Sequence, residues 1–217
     1  MASQFLSKDE LSAAQNLVLV PDLLATEKDC YGSYFVFRKL NQDLEAFRER
    51  VMQLARHDHE AQALAGAQMV GRFTDGTPLT RFDQPQGSEG DTYDFTFEGD
   101  DGRRCPLSAH IRKANPRDGS EHTIQIVRRG IPYNEVDAGT GSGKGLLFMC
   151  YQRSIQAQFE FIQRLWIDNR NHPLTGAGVD RLVGQKWSEK TDLKYPVTLK
   201  GGEYFFAPSL NFLKTMP

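Results

Sequence analysis

The sequence predicts an α+β domain of ferredoxin-like type, with the element order β-α-β-β-α-β and two long helices on one face of an antiparallel sheet. Three observations lead there. The run Gly32-Ser-Tyr-Phe-Val-Phe-Arg-Lys-Leu40 is aromatic and β-branched, as strands are, and Leu44, Phe47, Val51 and Leu54 then recur at helical spacing. Two further strand-like runs, residues 123–128 and 145–151, flank a Gly-rich connection. A second helical face, Ile155, Phe159, Ile162 and Trp166, leads into an aromatic strand at residues 204–207.

Residues 1–31 are mixed, with Pro21, Asp22 and a Lys28-Asp29 step, and read as an N-terminal extension that packs locally. The domain proper spans residues 32–217. After the first strand, Asn41 is placed to cap the first helix by taking up a free amide of its first turn. A second helical stretch follows at about residues 59–70. From 71 to 104 the composition shifts to Gly, Pro, Asp and Thr, and seven acids fall between Asp83 and Asp101. This predicts a long surface loop at about residues 73–104, and loops of that length usually serve a site or a partner. The continuous apolar run Gly145-Leu-Leu-Phe-Met-Cys-Tyr151 suits a central strand, and Ser154 suits the cap of the helix behind it.

With 217 residues and 39% hydrophobic content the chain can bury one good core. Its 26 basic and 28 acidic residues leave a net charge of −2, so no positive field exists to attract nucleic acid or an anionic membrane. Cys30, Cys105 and Cys150 are few and far apart, without a CxxC or CxxCH pattern, which predicts reduced thiols in a cytoplasmic-type compartment and no covalent haem attachment. There is no membrane-spanning apolar run and no leader; an export signal of a longer parent would lie upstream of Met1.

Three places carry residues with chemistry. Gly139-Thr-Gly-Ser-Gly-Lys144-Gly145 has the outline of a phosphate-binding loop, yet Gly145 stands where Ser or Thr would bind magnesium, and a strand rather than a helix follows. It reads as a strand connection. His57-Asp-His59-Glu60 holds metal-ligand residue types, but neighbours at i and i+2 point to different faces of a helix, so it reads as a solvated helix end. The third place is His110, within Cys105-Pro-Leu-Ser-Ala-His110-Ile-Arg-Lys-Ala-Asn115-Pro-Arg117. Taken alone, it reads as a satisfied structural histidine. Apolar Ala109 and Ile111 beside it, with Arg112, Lys113 and Arg117 nearby, also suit a haem iron whose anionic propionates need cations. The residues themselves leave both readings open.

Six ordered segments resemble the dye-decolourising (DyP-type) haem peroxidase family, specifically its C-terminal haem-binding half. They are residues 32–40, 105–117, Ile126-Val-Arg128-Arg-Gly-Ile-Pro132-Tyr133, Gly145-Leu-Leu-Phe-Met-Cys-Tyr-Gln152, Phe159-Glu-Phe-Ile-Gln163 and Gly201-Gly-Glu-Tyr-Phe-Phe-Ala-Pro-Ser209. The resemblance covers roughly residues 20–217. It implies a ferredoxin-like domain carrying haem b, with His110 as the proximal iron ligand and Arg128, rather than adjacent Arg129, as the distal arginine that meets peroxide. A proximal histidine is usually oriented by a hydrogen bond from its second nitrogen; Glu160 is the expected partner, with Gln158 and Gln156 as rivals. Arg112 and Arg117 are expected to pair with the propionates. Tyr133, Tyr151, Trp166 and Trp187 are chemically suited to pass oxidising equivalents to bulky dyes or phenols, and none is assigned.

The chain departs from the family at one motif. Full-length members carry a GxxDG aspartate upstream, and it is missing here; Gly71-Arg-Phe-Thr-Asp75-Gly76 has one residue too many and falls in the loop, so Asp75 is expected to be a loop residue. The expectation is a peroxidase of reduced or altered efficiency using hydrogen peroxide and an aromatic reductant, and functioning as a homo-oligomer or with a separate N-terminal half. The alternative is a haem-binding module without efficient turnover.

Overall fold

Strand β2, Tyr31–Gln42, is the axis of the fold in the computed structural model, which describes residues 8–87, 94–137, 141–185 and 195–216. Its β-branched and aromatic residues pair antiparallel on both edges, with β4 (Gly141–Gln152) on one side and β5 (Val197–Ala207) on the other. β3 (Val127–Asp137) pairs antiparallel with the far edge of β4. The sheet order is therefore β3-β4-β2-β5, with the short β1, Val20–Pro21, pairing at the start of β2. Helices α2 (Leu44–Leu54), α3 (Gln62–Val70) and α4 (His110–Ala114) lie between β2 and β3. The connection from β4 to β5 contains two consecutive helical segments with π-type hydrogen bonding, α5 (Ile155–Glu160) and α6 (Ile162–Ile167). Helix α1, Lys8–Val18, precedes β1, and α7, Leu210–Thr215, follows β5. This is the β-α-β-β-α-β path of a ferredoxin-like domain.

Several local expectations shift. Asp43, not Asn41, caps α2: its carboxylate accepts the amides of Glu45 and Ala46, while Asn41 stays inside β2, paired with Gly145 and Thr198. Residues 123–128 are strand only at their end; Ser120–Thr123 form a 3-10 turn, and β3 continues through Gly130-Ile-Pro132-Tyr133, beyond the strand expected from the sequence. Proline fits there because β3 is an edge strand. The glycine-rich run is strand from residue 141, with Lys144 opposite Asn134, and residues 139 and 140 lie outside the described residues. Gly145 is required by the sheet: a Cβ would collide with the Leu40 carbonyl and the Tyr133 hydroxyl. The N-terminal segment is tied to distant parts of the chain, through Arg153 N to Leu17 O at 2.9 Å and Ser209 N to Asp22 Oδ2 at 2.8 Å.

The long loop is more than surface. Phe73, Leu79, Phe95 and Phe97 form a buried cluster with Ala67, Cys105 and Ala109, against which Ile111 packs. Gly71 caps α3 with a left-handed φ of 103°, and a Cβ there would run into Ile111. These contacts seat α4. The two sheet faces differ. One carries α5, through the Phe148–Phe159 and Phe159–Tyr204 ring contacts. The other leaves Val127, Ile131, Tyr151 and Phe205 exposed, at 57%, 42%, 38% and 48% of their surface.

Candidate functional site

His110 opens α4, with buried Ala109 at the cap position. Its Nδ1 lies 2.7 Å from Asp180 Oδ2, and the Asp180 side chain has no exposed surface. Burial pushes the Asp180 carboxyl towards protonation, but His110 and the backbone amides of Leu182 and Val183, which donate to Oδ1 at 2.8 and 3.0 Å, outweigh it and hold the carboxyl below its ordinary value. An ionised carboxylate can only accept, so Nδ1 carries the proton and Nε2 is left with a lone pair when the ring is neutral. Nε2 has no hydrogen-bond partner among the described residues, and the His110 side chain is 34% exposed. Burial disfavours the imidazolium, Asp180 favours it more strongly, and Arg128 opposes it from nearby; the net direction for His110 is upward.

Arg128 reaches this neighbourhood from β3. Its register partner is Cys150, which is fully buried on the face that carries α5, whereas Arg129 pairs with Met149 and points the other way. Just upstream, Ile124 and Ile126 pack against Ile162, Trp166 and Ile167 of α6. The Arg128 guanidinium makes no hydrogen bond or ion pair among the described residues, and the residue is exposed.

The structure separates the other expected residues from this pair. Glu160 is not the partner of His110: its carboxylate accepts the Tyr204 hydroxyl at 3.2 Å, on the sheet side of α5. Its rival Gln158 is buried and donates to the carbonyls of Leu17 and Gln125. Arg112 is only 4% exposed and lies over the Phe97 ring. It donates to Cys105 O at 2.7 Å, to Asp100 Oδ2 at 3.0 Å and to the Asp100 carbonyl. With both terminal nitrogens bonded to the loop and Nε buried, it does not present a cation for a propionate. Arg117, in a left-handed turn at φ 54°, stacks 4.0 Å over Phe95 and donates to the Phe95 carbonyl at 3.0 Å, so it too serves the loop.

Two residues of this neighbourhood escaped sequence reasoning. Asp180 lies 70 positions from His110, in a turn with no motif, and only folding brings it there. Lys113 was read as one of several nearby positive charges, yet it is fully buried. Its place three residues after His110 on one helix puts both on the same face, which was the available signal. Elsewhere, Asp75 accepts the Thr77 amide and hydroxyl and the Gly87 amide, which organises the loop. His59 contacts Gln62 at 2.6 Å in the turn before α3, and no cluster of metal-ligand side chains occurs among the described residues. Trp187 lies outside the described residues, and Trp166 is buried.

Comparison with known proteins places this arrangement. The family model for the Dyp-type peroxidase C-terminal domain matches residues 7–212. The chain is 38% identical to the multifunctional dye peroxidase DyP2 of an Amycolatopsis species, over 94% of this chain and 53% of that protein. It is 31% identical to the dye-decolorizing peroxidase msp1 of Mycetinis scorodonius, over 85% of this chain and 46% of the relative. The crystal structure of the DyP-type peroxidase AnaPX from Anabaena sp. shares the fold with a TM-score of 0.81 at 40% identity, covering 92% of this chain and 49% of that one. The chain thus spans about half the length of the curated relatives it matches. With the ferredoxin-like sheet and the ordered segments in agreement, the chain belongs to the DyP-type peroxidase family and corresponds to its C-terminal domain.

Proposed function

We propose that the protein is a haem-dependent peroxidase, using hydrogen peroxide to oxidise bulky aromatic donors, with haem b held through His110. The observation that carries this reading is the His110–Asp180 pair, which leaves one imidazole nitrogen partnered by a buried carboxylate and the other with a free lone pair. The residues present fit the group: a neutral, oriented imidazole nitrogen is a haem iron ligand, and a carboxylate on the opposite nitrogen fixes ring and tautomer. When bound, the haem would supply the iron at which peroxide is cleaved and the oxidising equivalents passed to the reductant.

The chain's own residues have separable tasks. Asp180 keeps the proton on Nδ1 and makes the ring more electron-donating at Nε2. Arg128 offers a guanidinium free of protein partners among the described residues, suited to meet negative charge as it develops on a leaving oxygen, as an oxyanion-hole donor does. The buried thiols Cys105 and Cys150 are pushed up to about 12 by burial and take no part near neutral pH. With all three cysteines free, a reducing, cytoplasmic-type compartment suits the chain. The apolar sheet face at Val127, Ile131, Tyr151 and Phe205 supports a covering partner, either the remaining half of a full-length relative or a second copy.

The test is a haemin titration followed by peroxide, read in the Soret region. A stoichiometric band that moves to a high-valent spectrum on peroxide addition supports the peroxidase. A band that only bleaches would replace it with a haem-binding module, and no band would remove haem from the function.

A further inference from the structure

The segment from Asp168 to Val183 carries Asp180 to His110, yet it is coil without strand partners. Something must hold it to better than a hydrogen-bond length. Gly178 N donates to Arg170 O within the segment and Asp180 N to Ile167 O at the end of α6, both at 3.0 Å, and the His172 ring stacks parallel on Trp166 of α6 at 5.1 Å. Arg181 ties the segment to the residue ahead of the α4 cap, its amide donating to Ser108 O at 3.3 Å and its Nε to Ser108 Oγ at 2.8 Å, but none of these contacts reaches α4 itself, where His110 stands.

That tie is Lys113. Its side chain is fully buried, and its Nζ lies 2.5 Å from Asn169 O, 2.5 Å from His172 O and 2.9 Å from Gly178 O. An ammonium has three donors and no acceptor, so every proton it carries is used on this one segment. Burying a cation is costly unless it is fully hydrogen-bonded, and here three carbonyls of the segment supply the compensation. The same short helix therefore grips the segment twice: through Lys113 at three carbonyls and, one turn earlier, through His110 at Asp180.

We propose that Lys113 is a positioning residue for the candidate haem ligand: it clamps residues 169–178 to α4 so that Asp180 stays on the Nδ1–H of His110. This deepens the assignment of His110 in the proposed function. Consistent with the geometry, burial pushes the Lys113 ammonium down to about 8 while Asp180 and Asp168 support its charge, so it remains largely protonated at neutral pH. Residue types alone would have assigned this lysine to a haem propionate; its three bonds place it behind the ligand.

The experiment uses the haem-free protein, so its outcome is independent of whether haem binds. The readout is solvent exchange of the His110 Nδ1 proton by NMR, with the Gln152 side-chain amide, which donates to Tyr34 O at 3.1 Å within the sheet, as internal control. Asp180→Asn sets the scale for a lost carboxylate. Lys113→Met is expected to speed exchange at Nδ1 about tenfold, the equivalent of one hydrogen bond, with the Gln152 amide unchanged. Lys113→Gln, which keeps two donors, should give a smaller acceleration of the same sign. In the Asp180→Asn background Lys113→Met should add nothing. Nδ1 exchange at the wild-type rate in Lys113→Met, or an equal added effect without Asp180, would overturn the proposal. If both variants fail to fold, the wild-type protein decides: a slowly exchanging Lys113 ammonium signal correlated with the carbonyls of Asn169, His172 and Gly178 supports the clamp, and an ammonium exchanging like a solvated lysine sinks it.

Discussion

Helix α4, which carries His110, and strand β3, which carries Arg128, present their cations on opposite plans. On α4, Arg112 and Lys113 are both buried, and each carries several hydrogen bonds to backbone or carboxylate acceptors. On β3, Arg128 is exposed and makes no hydrogen bond among the described residues. The difference teaches that positive charge beside a candidate ligand is not one kind of feature. Buried cations bonded to carbonyls and a carboxylate fix the scaffold, while the exposed one without a partner among the described residues is available to an anion that arrives later.

The contrast yields measurable differences, beginning with the largest change in stability. Arg112→Met should cost about 3 kcal/mol in denaturant unfolding, because it removes the partly buried ion pair with Asp100 and takes the Arg112 donor from the Cys105 carbonyl. A loss near zero would move Arg112 back among the available cations. Asp180→Ala should cost about 2 kcal/mol, less than a fully buried pair because His110 is one third exposed and keeps some solvation.

The pH dependence of that pair follows from its signs. His110 is raised in the folded state, so its share of stability is complete below its ordinary value of 6.5 and fades as pH rises through the higher folded value. Asp180 is lowered, so its share is complete above 3.8 and fades as pH falls through the lower folded value. The difference in Tm between wild type and Asp180→Asn should therefore be widest between those ordinary values and shrink on both sides. A difference that does not vary with pH would mean that the two groups are not coupled.

Arg128→Leu should change stability by no more than about 0.5 kcal/mol, as befits an exposed side chain without partners. It should nonetheless slow the reaction of the haem-loaded protein with peroxide about 100-fold in stopped flow. Unchanged rates would remove Arg128 from the chemistry. The smallest effect is expected for Glu160→Gln, within about 0.5 kcal/mol and without consequence for His110, since Glu160 meets only the Tyr204 hydroxyl among the described residues.

How far the sequence was legible follows the range of the forces involved. The strands around Val36 and Cys150 were readable because β-branched and aromatic runs announce themselves locally, and Ser154 was readable as a cap because its hydroxyl acts three residues away, on the Ala157 amide at 3.1 Å. The extent of β3 was not, because the strand starts only at Val127 and runs on to Asp137 through Gly130 and Pro132, residues that an edge position makes acceptable. The loop core escaped for a similar reason: Phe73, Leu79, Phe95 and Phe97 have no common period, and only folding brings them together with Ala67, Cys105 and Ala109. At the site, the family resemblance singled out His110 and Arg128 by motif. The expectation of Glu160 as the partner of His110 came from ligand chemistry and not from a motif, and it failed because the partner depends on how residues 168–183 turn back onto α4.

The central claim is that His110 Nε2 binds the haem iron, and the most direct measurement is a haemin titration of wild type and His110→Gly, with and without added imidazole, followed by absorbance and magnetic circular dichroism. A histidine-ligated spectrum in the wild type, its loss in His110→Gly and its return with imidazole are the predicted results. Equal haem affinity and an identical spectrum in His110→Gly without imidazole would contradict the assignment and leave the His110–Asp180 pair a structural contact.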